Sequence, residues 1–116
     1  MESFSMTPRD RASLERILEC IEAIETYVAR TGPGWPDDDM TVDAVAKRLE
    51  EIGEVAKRVT QQTLASMPTV EWRGINGLRD IIVHDYGDID VELLLGVVRD
   101  DLPGLGIVAS AMLTAS

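Results

Sequence analysis

The chain has 116 residues, a length that fits a single domain (residues 1–116) with a modest core. Apolar residues make up 45% of the sequence and aromatic residues only 4%, so the core must be mainly aliphatic, which favours helices over sheets. The net charge is −10, which argues against a nucleic-acid binder with a broad basic face. Any contact with RNA must therefore be local, or a basic partner protein must cover part of the acidic surface.

Two further features bear on where the protein works. The apolar runs are far shorter than the roughly 18 residues that a membrane span needs, and the first residues lack a basic region followed by an apolar one. We therefore expect a cytoplasmic protein without a membrane span. The single cysteine, Cys20, cannot form an internal disulfide, and its position beside an apolar helix face predicts a small core residue rather than a reactive thiol.

Two long amphipathic helices are predicted in the first half of the chain. The first covers residues 7–30, with Thr7 as its cap, Pro8 in the first position and Asp10 in the first turn. The second covers residues 41–65, with Gly53 marking a close approach of another helix. Beside that glycine, Glu54 is either a surface carboxylate or one that turns inward to meet a basic group.

The connection at residues 31–39 contains two glycines and two prolines, which predicts a loop anchored by Trp35. Its three adjacent carboxylates, Asp37, Asp38 and Asp39, do not converge as metal ligands must, so we expect them to solvate a loop or to lie near a helix N-terminus. The sequence also lacks a phosphate-binding glycine loop and Cys/His metal spacing. We therefore expect neither a cofactor nor a metal.

The second half predicts shorter helices. Apolar residues at positions 72, 75, 78 and 82 mark a third helix, and Asp88 or Asp90 caps a fourth helix that ends before Pro103. Residues 104–113 form either a weaker fifth helix or an ordered tail, since two glycines interrupt them.

The side chains best suited to catalysis lie in the predicted third helix, where Arg79, the only histidine (His84) and Tyr86 occur within eight residues. Arginine forks onto phosphate oxygens, histidine exchanges protons near neutral pH, and tyrosine offers a hydroxyl that can be modified. In a regular helix, the angle around the axis, measured from Ile75, is about 40° for Arg79, about 20° for Tyr86 and about 180° for His84. The three groups therefore do not converge in an isolated helix, so either the helix changes form after Val83 or a second copy completes the site.

The positions of these residues also fit a purely structural role. Arg79 would then lie at a helix rim, His84 would be exposed and Tyr86 would pack in the core.

The spacing of Arg79, four residues, His84, one residue and Tyr86 resembles the Arg-x4-His-x-Tyr motif of HepT-like proteins in the HEPN superfamily. The resemblance extends in the same order through most of the chain. It includes Arg9-Asp10, Leu49-Glu-x-Ile52-Gly53-Glu54, Trp72-Arg73-x-Ile75-x-Gly77-Leu78 and Val98-x-x-Asp101-Leu102-Pro103.

This resemblance implies an all-α, four- to five-helix up-and-down bundle that forms a homodimer in which the two motif helices meet. It implies the toxin of a type VII-like toxin–antitoxin system, a metal-independent endoribonuclease whose partner is an MNT-type nucleotidyltransferase antitoxin. Arg79 and His84 would be catalytic on RNA, and Tyr86 would accept AMP from the antitoxin. The family usually has a polar residue, often asparagine, where this chain has Asp80, which adds negative charge beside the phosphate to be cleaved.

Two alternatives to the ribonuclease remain. In one, the chain is a non-catalytic subunit that uses Arg79, His84 and Tyr86 to bind a nucleotidyltransferase; in the other, it is a purely structural helical dimer.

Overall fold

The computed structural model describes residues 5–70, 72–76 and 88–115, which form helices joined by short connections. Helix α1 spans Pro8–Thr31, a 3₁₀ turn spans Trp35–Asp37, and α2 spans Asp39–Ala56. Two short helices follow, α3 at Gln61–Ala65 and α4 at Trp72–Asn76. The chain continues through α5 at Val91–Gly96, a π-helical turn at Val97–Asp101, and α6 at Leu102–Ala115. The predicted all-α fold is confirmed.

Helix α1 begins as its sequence predicts. The amide of Asp10 donates to Thr7 Oγ1 at 3.0 Å, which satisfies one of the free N–H groups of the first turn, and Pro8 occupies the start. The helix ends at Gly32, whose φ of 86° is accessible to glycine and strained for other residues. Its N–H donates to the carbonyl of Val28 and closes the last turn.

Helix α1 lies at the centre of the bundle, with α2 and α6 packed against it. Thr31 meets Thr41 near one end of α1 and Asp10 meets Thr60 near the other, so α2 runs antiparallel to α1. Arg11 donates to the carbonyl of Leu113, which pairs the start of α1 with the end of α6. Both neighbours of α1 therefore run opposite to it, as an up-and-down bundle requires.

The core is aliphatic and continuous between these helices. The fully buried aliphatic side chains from α1 and α2 recur at helical spacing, and they include Leu14, Ile17, Ile24, Val45, Leu49 and Ile52. From α6, Leu102, Leu105 and Ala109 close the opposite side of the same core. Trp35 is buried in this cluster, so its predicted role as a loop anchor is confirmed.

The acidic triplet lies where the second helix starts. Asp38 caps α2, since its Oδ2 accepts from the amide of Thr41 at 2.9 Å, and Asp39 lies in the first turn, where a negative charge is favourable. The hydroxyl of Thr41 also donates to Asp38 Oδ2, at 2.6 Å, and this bond, together with the weaker effect of the amide bond, lowers the pKa of Asp38. The prediction that this triplet belongs to a helix N-terminus is confirmed.

The prediction of one helix over residues 41–65 is wrong. Helix α2 ends at Ala56, and Thr60 adopts an extended conformation (φ −67°, ψ 153°) before it caps α3. The cause lies 50 residues away, because Asp10 accepts hydrogen bonds from Thr60 N at 3.2 Å and from Thr60 Oγ1 at 2.6 Å. Thr60 could not present both donors to Asp10 from the middle of a regular helix, where its N–H would bond within the helix.

The prediction that the fourth helix ends before Pro103 is also wrong, because the backbone remains helical through that residue. Leu102 N–H donates to the carbonyl of Val97, five residues earlier, so the turn just before Pro103 is wider than an α-helical turn. Proline lacks an N–H and its ring clashes with the carbonyl four residues earlier in a regular helix. The π-helical turn accommodates this proline, so α6 follows α5 directly and residues 104–113 are helical.

None of the helices in the described ranges combines the length and hydropathy needed to cross a lipid bilayer.

Asp10 links the start of α1 to α3. Its side chain is 1% exposed, and besides the two bonds from Thr60 it accepts one from Thr63 Oγ1 at 2.6 Å. Burial acts to raise the pKa of Asp10, but the hydrogen bonds from Thr60 and Thr63 and the charge of Arg9 outweigh it, so the pKa is lowered. The ionised carboxylate therefore stabilises the fold.

We predict that Asp10→Asn lowers the free energy of unfolding by about 1–3 kcal/mol, because an amide has one acceptor oxygen and turns an NH₂ group toward donors. Urea unfolding near neutral pH measures this, with Asp43→Asn on the exposed face of α2 as the control of equal charge. Because the pKa of Asp10 is lowered, the contribution of the carboxylate is complete above about pH 3.8 and is lost as the pH falls further. The difference between the wild type and Asp10→Asn should shrink over that acidic range, and a constant difference would contradict this role.

Candidate functional site

The residues predicted to carry the chemistry, Arg79, Asp80, His84 and Tyr86, lie outside the described residues, as does the predicted helix beyond Asn76. What the structure does describe is how the chain is held on both sides of this stretch, which we call the motif segment (residues 77–87).

The chain reaches the motif segment through α4, which packs against α2. Ile75 in α4 and Met67 in the preceding connection are both buried in the core. Trp72 packs at the edge of this core, and its buried Nε1–H has no hydrogen-bond partner among the residues that the structure describes. The N-terminal side of the motif segment is thus attached to the core by apolar contacts.

The chain leaves the motif segment through a capped helix. Asp90 Oδ1 accepts from Leu93 N at 3.1 Å, which confirms Asp90 as the cap of α5, while Asp88 is exposed. One turn later, Leu94 is buried in the core. The helices on both sides of the motif segment therefore pack on the bundle, as the support of a site requires.

The structure shows a charged cluster between α1 and α2 that the sequence did not predict. Arg16 donates to Glu51 across the two helices, and Arg48 approaches the other oxygen of Glu51 at 3.4 Å. The Nε of Arg48 also donates to the hydroxyl of Tyr27 at 3.3 Å. Only the spacing of Arg48 and Glu51, three residues apart on one helix, could have been identified from sequence; Arg16 is 35 residues from Glu51.

The charges in this cluster satisfy one another. The hydrogen bond from Arg16 is the main cause that lowers the pKa of Glu51, and the bond to Tyr27 is the main cause that raises the pKa of Arg48. Neither effect produces a group that exchanges protons near neutral pH. The cluster joins α1 to α2 and is not itself a catalytic site.

Cys20 lies on the same stretch of α1 and is fully buried. Burial is the main cause that raises the pKa of its thiol, which keeps the thiol protonated and unreactive. The prediction that Cys20 is a small core residue is confirmed.

Glu54, the carboxylate beside Gly53, is partly exposed, and its Oε1 lies 3.5 Å from Lys57 Nζ at the end of α2. A basic group does meet Glu54, at the surface of its own helix. Gly53 itself is buried in the core-facing side of α2, the helix on which α4 packs.

Within the described residues, no group of three or more His, Cys, Asp or Glu side chains is arranged to hold a metal ion.

Comparison with known proteins gives a family match over most of the chain. The model of the family described as "HepT-like: Ribonuclease HepT-like" matches residues 17–112, which include both flanks and the motif segment between them. No solved structure matches the chain significantly.

Curated proteins similar to the chain bear related names. A protein of Thermococcus cleftensis named "Probable ribonuclease HepT" is 34% identical over 93 residues, which cover 79% of this chain and 84% of that protein. A Methanocaldococcus jannaschii protein named "Putative RNase" is 33% identical over 80% of this chain and 78% of its own length. A second protein of that organism is named "Gamma-glutamylcyclotransferase and putative RNase". It is 33% identical over 79% of this chain but only 42% of its own length.

The family match, the similarity over nearly the full length of the Thermococcus protein and the all-α bundle agree with one another, and the chain belongs to the HepT-like ribonuclease family.

Proposed function

We propose that the chain is a metal-independent endoribonuclease that acts in the cytoplasm as the toxin of a toxin–antitoxin pair. The observation that carries this proposal is the family match over residues 17–112 together with Arg79, His84 and Tyr86 at the motif spacing inside it. The helices that flank the motif segment support it, because Ile75 and Leu94 hold them in the core.

The chemistry requires a base, an acid and a cation at one phosphate. The base takes the proton of the RNA 2′-hydroxyl while its oxygen forms a bond to phosphorus, and the acid protonates the 5′-oxygen as the P–O bond breaks. This yields a 2′,3′-cyclic phosphate and a free 5′-hydroxyl. Arg79 stabilises the negative charge that builds on the phosphate oxygens, while His84 supplies proton transfer.

Each chain has one histidine, and one histidine does not conveniently serve as base and acid at the same time. We propose that a homodimer brings two copies of Arg79 and His84 to one cleft, which also makes that cleft locally basic on a chain with a net charge of −10. One histidine is then the base and the partner copy's histidine is the acid.

We predict that Arg79→Ala and His84→Ala each reduce RNA cleavage by about 100-fold or more, the usual loss when a general acid–base or charge-stabilising group is removed. Cleavage of a labelled RNA in EDTA, with analysis of the product ends, measures this, and growth on induced expression gives the cellular counterpart. Arg30→Ala, an exposed arginine in the last turn of α1, is the matched control and should cleave like the wild type.

Asp80→Asn is a second comparison in the same assay. It removes a negative charge next to Arg79 in the sequence, so we expect cleavage at least as fast as that of the wild type. Toxicity and cleavage that are equal in the wild type, Arg79→Ala and His84→Ala would reject catalysis by these residues and favour the non-catalytic subunit that binds a nucleotidyltransferase.

We further propose that an MNT-type nucleotidyltransferase antitoxin silences the toxin by modifying Tyr86. The tyrosine oxygen would attack the α-phosphorus of ATP and release pyrophosphate, which leaves AMP attached through a phosphodiester. That group is bulky and negatively charged, so in the proposed cleft it would compete with RNA for Arg79. Inactivation would then need no distant conformational change.

We predict that co-expression with the cognate nucleotidyltransferase increases the intact mass of the chain by one or more adenylyl groups and abolishes cleavage. Tyr86→Phe should show neither effect, because it lacks the accepting oxygen, while Tyr27→Phe is the matched control and should still be modified. Suppressed toxicity with an unchanged intact mass of the wild-type chain would contradict modification as the mechanism.

A further inference from the structure

Helix α6 differs from an ordinary surface helix, because none of its 14 residues is charged. Leu102, Leu105 and Ala109 face the core, and a helix at the edge of a small bundle normally carries charges on its other side. On α6 that outer side is apolar or small instead, and Ile107 is 71% exposed. The outer face of α6 therefore has the composition of a surface that another molecule covers.

A groove runs beside this face, between α1 and α6, and we call it the α1–α6 groove. A depression of about 930 Å³ lies between Leu18 and Ile21 on one wall and Gly106 and Ala111 on the other. A second depression of about 250 Å³ shares Ile21 with the first and continues along α1 to Ala29. From Leu18 to Ala29 the groove follows α1 for about 16 Å, the length of about three helical turns.

The packing of α6 does not require the glycines on its surface. A Cβ at Gly106 would lie 3.8 Å from the side chain of Ile21, an ordinary contact, and a Cβ at Gly104 would meet nothing within 4 Å. Glycine inside a helix costs about 1 kcal/mol relative to alanine. Packing within the bundle therefore does not explain Gly106, which leaves room in the groove beside Ile21.

Carboxylates line the α1 side of the groove. Glu22 and Glu25 are exposed there, next to the apolar floor, and in the described part of the chain no cation lies within ion-pair distance of either. A molecule that fills the groove would therefore benefit from cationic groups beside an apolar surface. A second copy fits this groove poorly, because a symmetric contact would bring four of these carboxylates together.

We propose that the α1–α6 groove binds an amphipathic α-helix of a partner protein, with apolar side chains against Ile21 and Gly106 and lysine or arginine beside Glu22 and Glu25. An α-helix suits a straight groove of about three turns between two helices, and its anchors recur every three or four residues. This partner surface does not depend on the ribonuclease activity.

The test uses two synthetic 18-residue helical peptides with the same leucine and alanine face, one with lysine and the other with glutamate on the flanks. Fluorescence anisotropy with the full chain should give a Kd for the lysine peptide at least about tenfold lower than for the glutamate peptide, and added salt should weaken the binding. Amide shifts in NMR spectra should be largest in residues 18–29 and 102–115.

Matched variants separate the groove from general attraction to an acidic protein. Ser110→Arg places a bulky cation on the groove wall and should weaken binding of the lysine peptide at least about tenfold, while Ser66→Arg adds the same charge to an exposed serine after α3 and should not. Glu22→Gln with Glu25→Gln should weaken it at least about fivefold, whereas Glu15→Gln with Asp43→Asn, equal in charge, should not.

Equal effects of Ser110→Arg and Ser66→Arg, equal binding of the two peptides, or binding of neither would overturn the proposal. So would groove amides that shift on dilution of the protein alone, which would assign the groove to a second copy.

Discussion

The structure depends on the burial of one helix, α1, between two antiparallel neighbours. Leu14, Ile17 and Ile24 are almost completely removed from water there, and transfer of such side chains out of water is the main favourable term in folding. Once α2 and α6 lie along α1, the positions of the remaining segments follow. Asp10 then meets Thr60 at one end, and the two flanks of the motif segment are held against the same core.

The sequence predicted α1 closely, since its apolar residues recur at strict helical spacing and its start carries Thr7 and Pro8. It failed at Thr60, because the apolar pattern continues across the break and the bond that causes the break comes from Asp10, far away in sequence. It failed at Pro103 for a different reason. Proline does exclude a regular α-helical turn, but a π-helical turn satisfies the same constraint without ending the helix.

The candidate site shows the same division between local and distant information. The motif of Arg79, His84 and Tyr86 is a local spacing, so it was identified from the sequence, and it lies within the residues that the family model matches. The cluster in which Arg16 and Arg48 share Glu51 was missed, because a pairing across two helices depends on their register. The groove beside α6 was missed as well, since an apolar stretch alone does not reveal which of its faces the bundle leaves open.

We propose that two copies of His84 act together in one cleft, one as base and one as acid. The most direct test is a mixed dimer of one wild-type chain and one His84→Ala chain, purified through two different affinity tags and assayed on RNA. If the cleft needs both histidines, the mixed dimer loses nearly all activity, like the dimer in which both chains are changed. Half of the wild-type activity would mean that each chain carries a complete site, and would contradict the account.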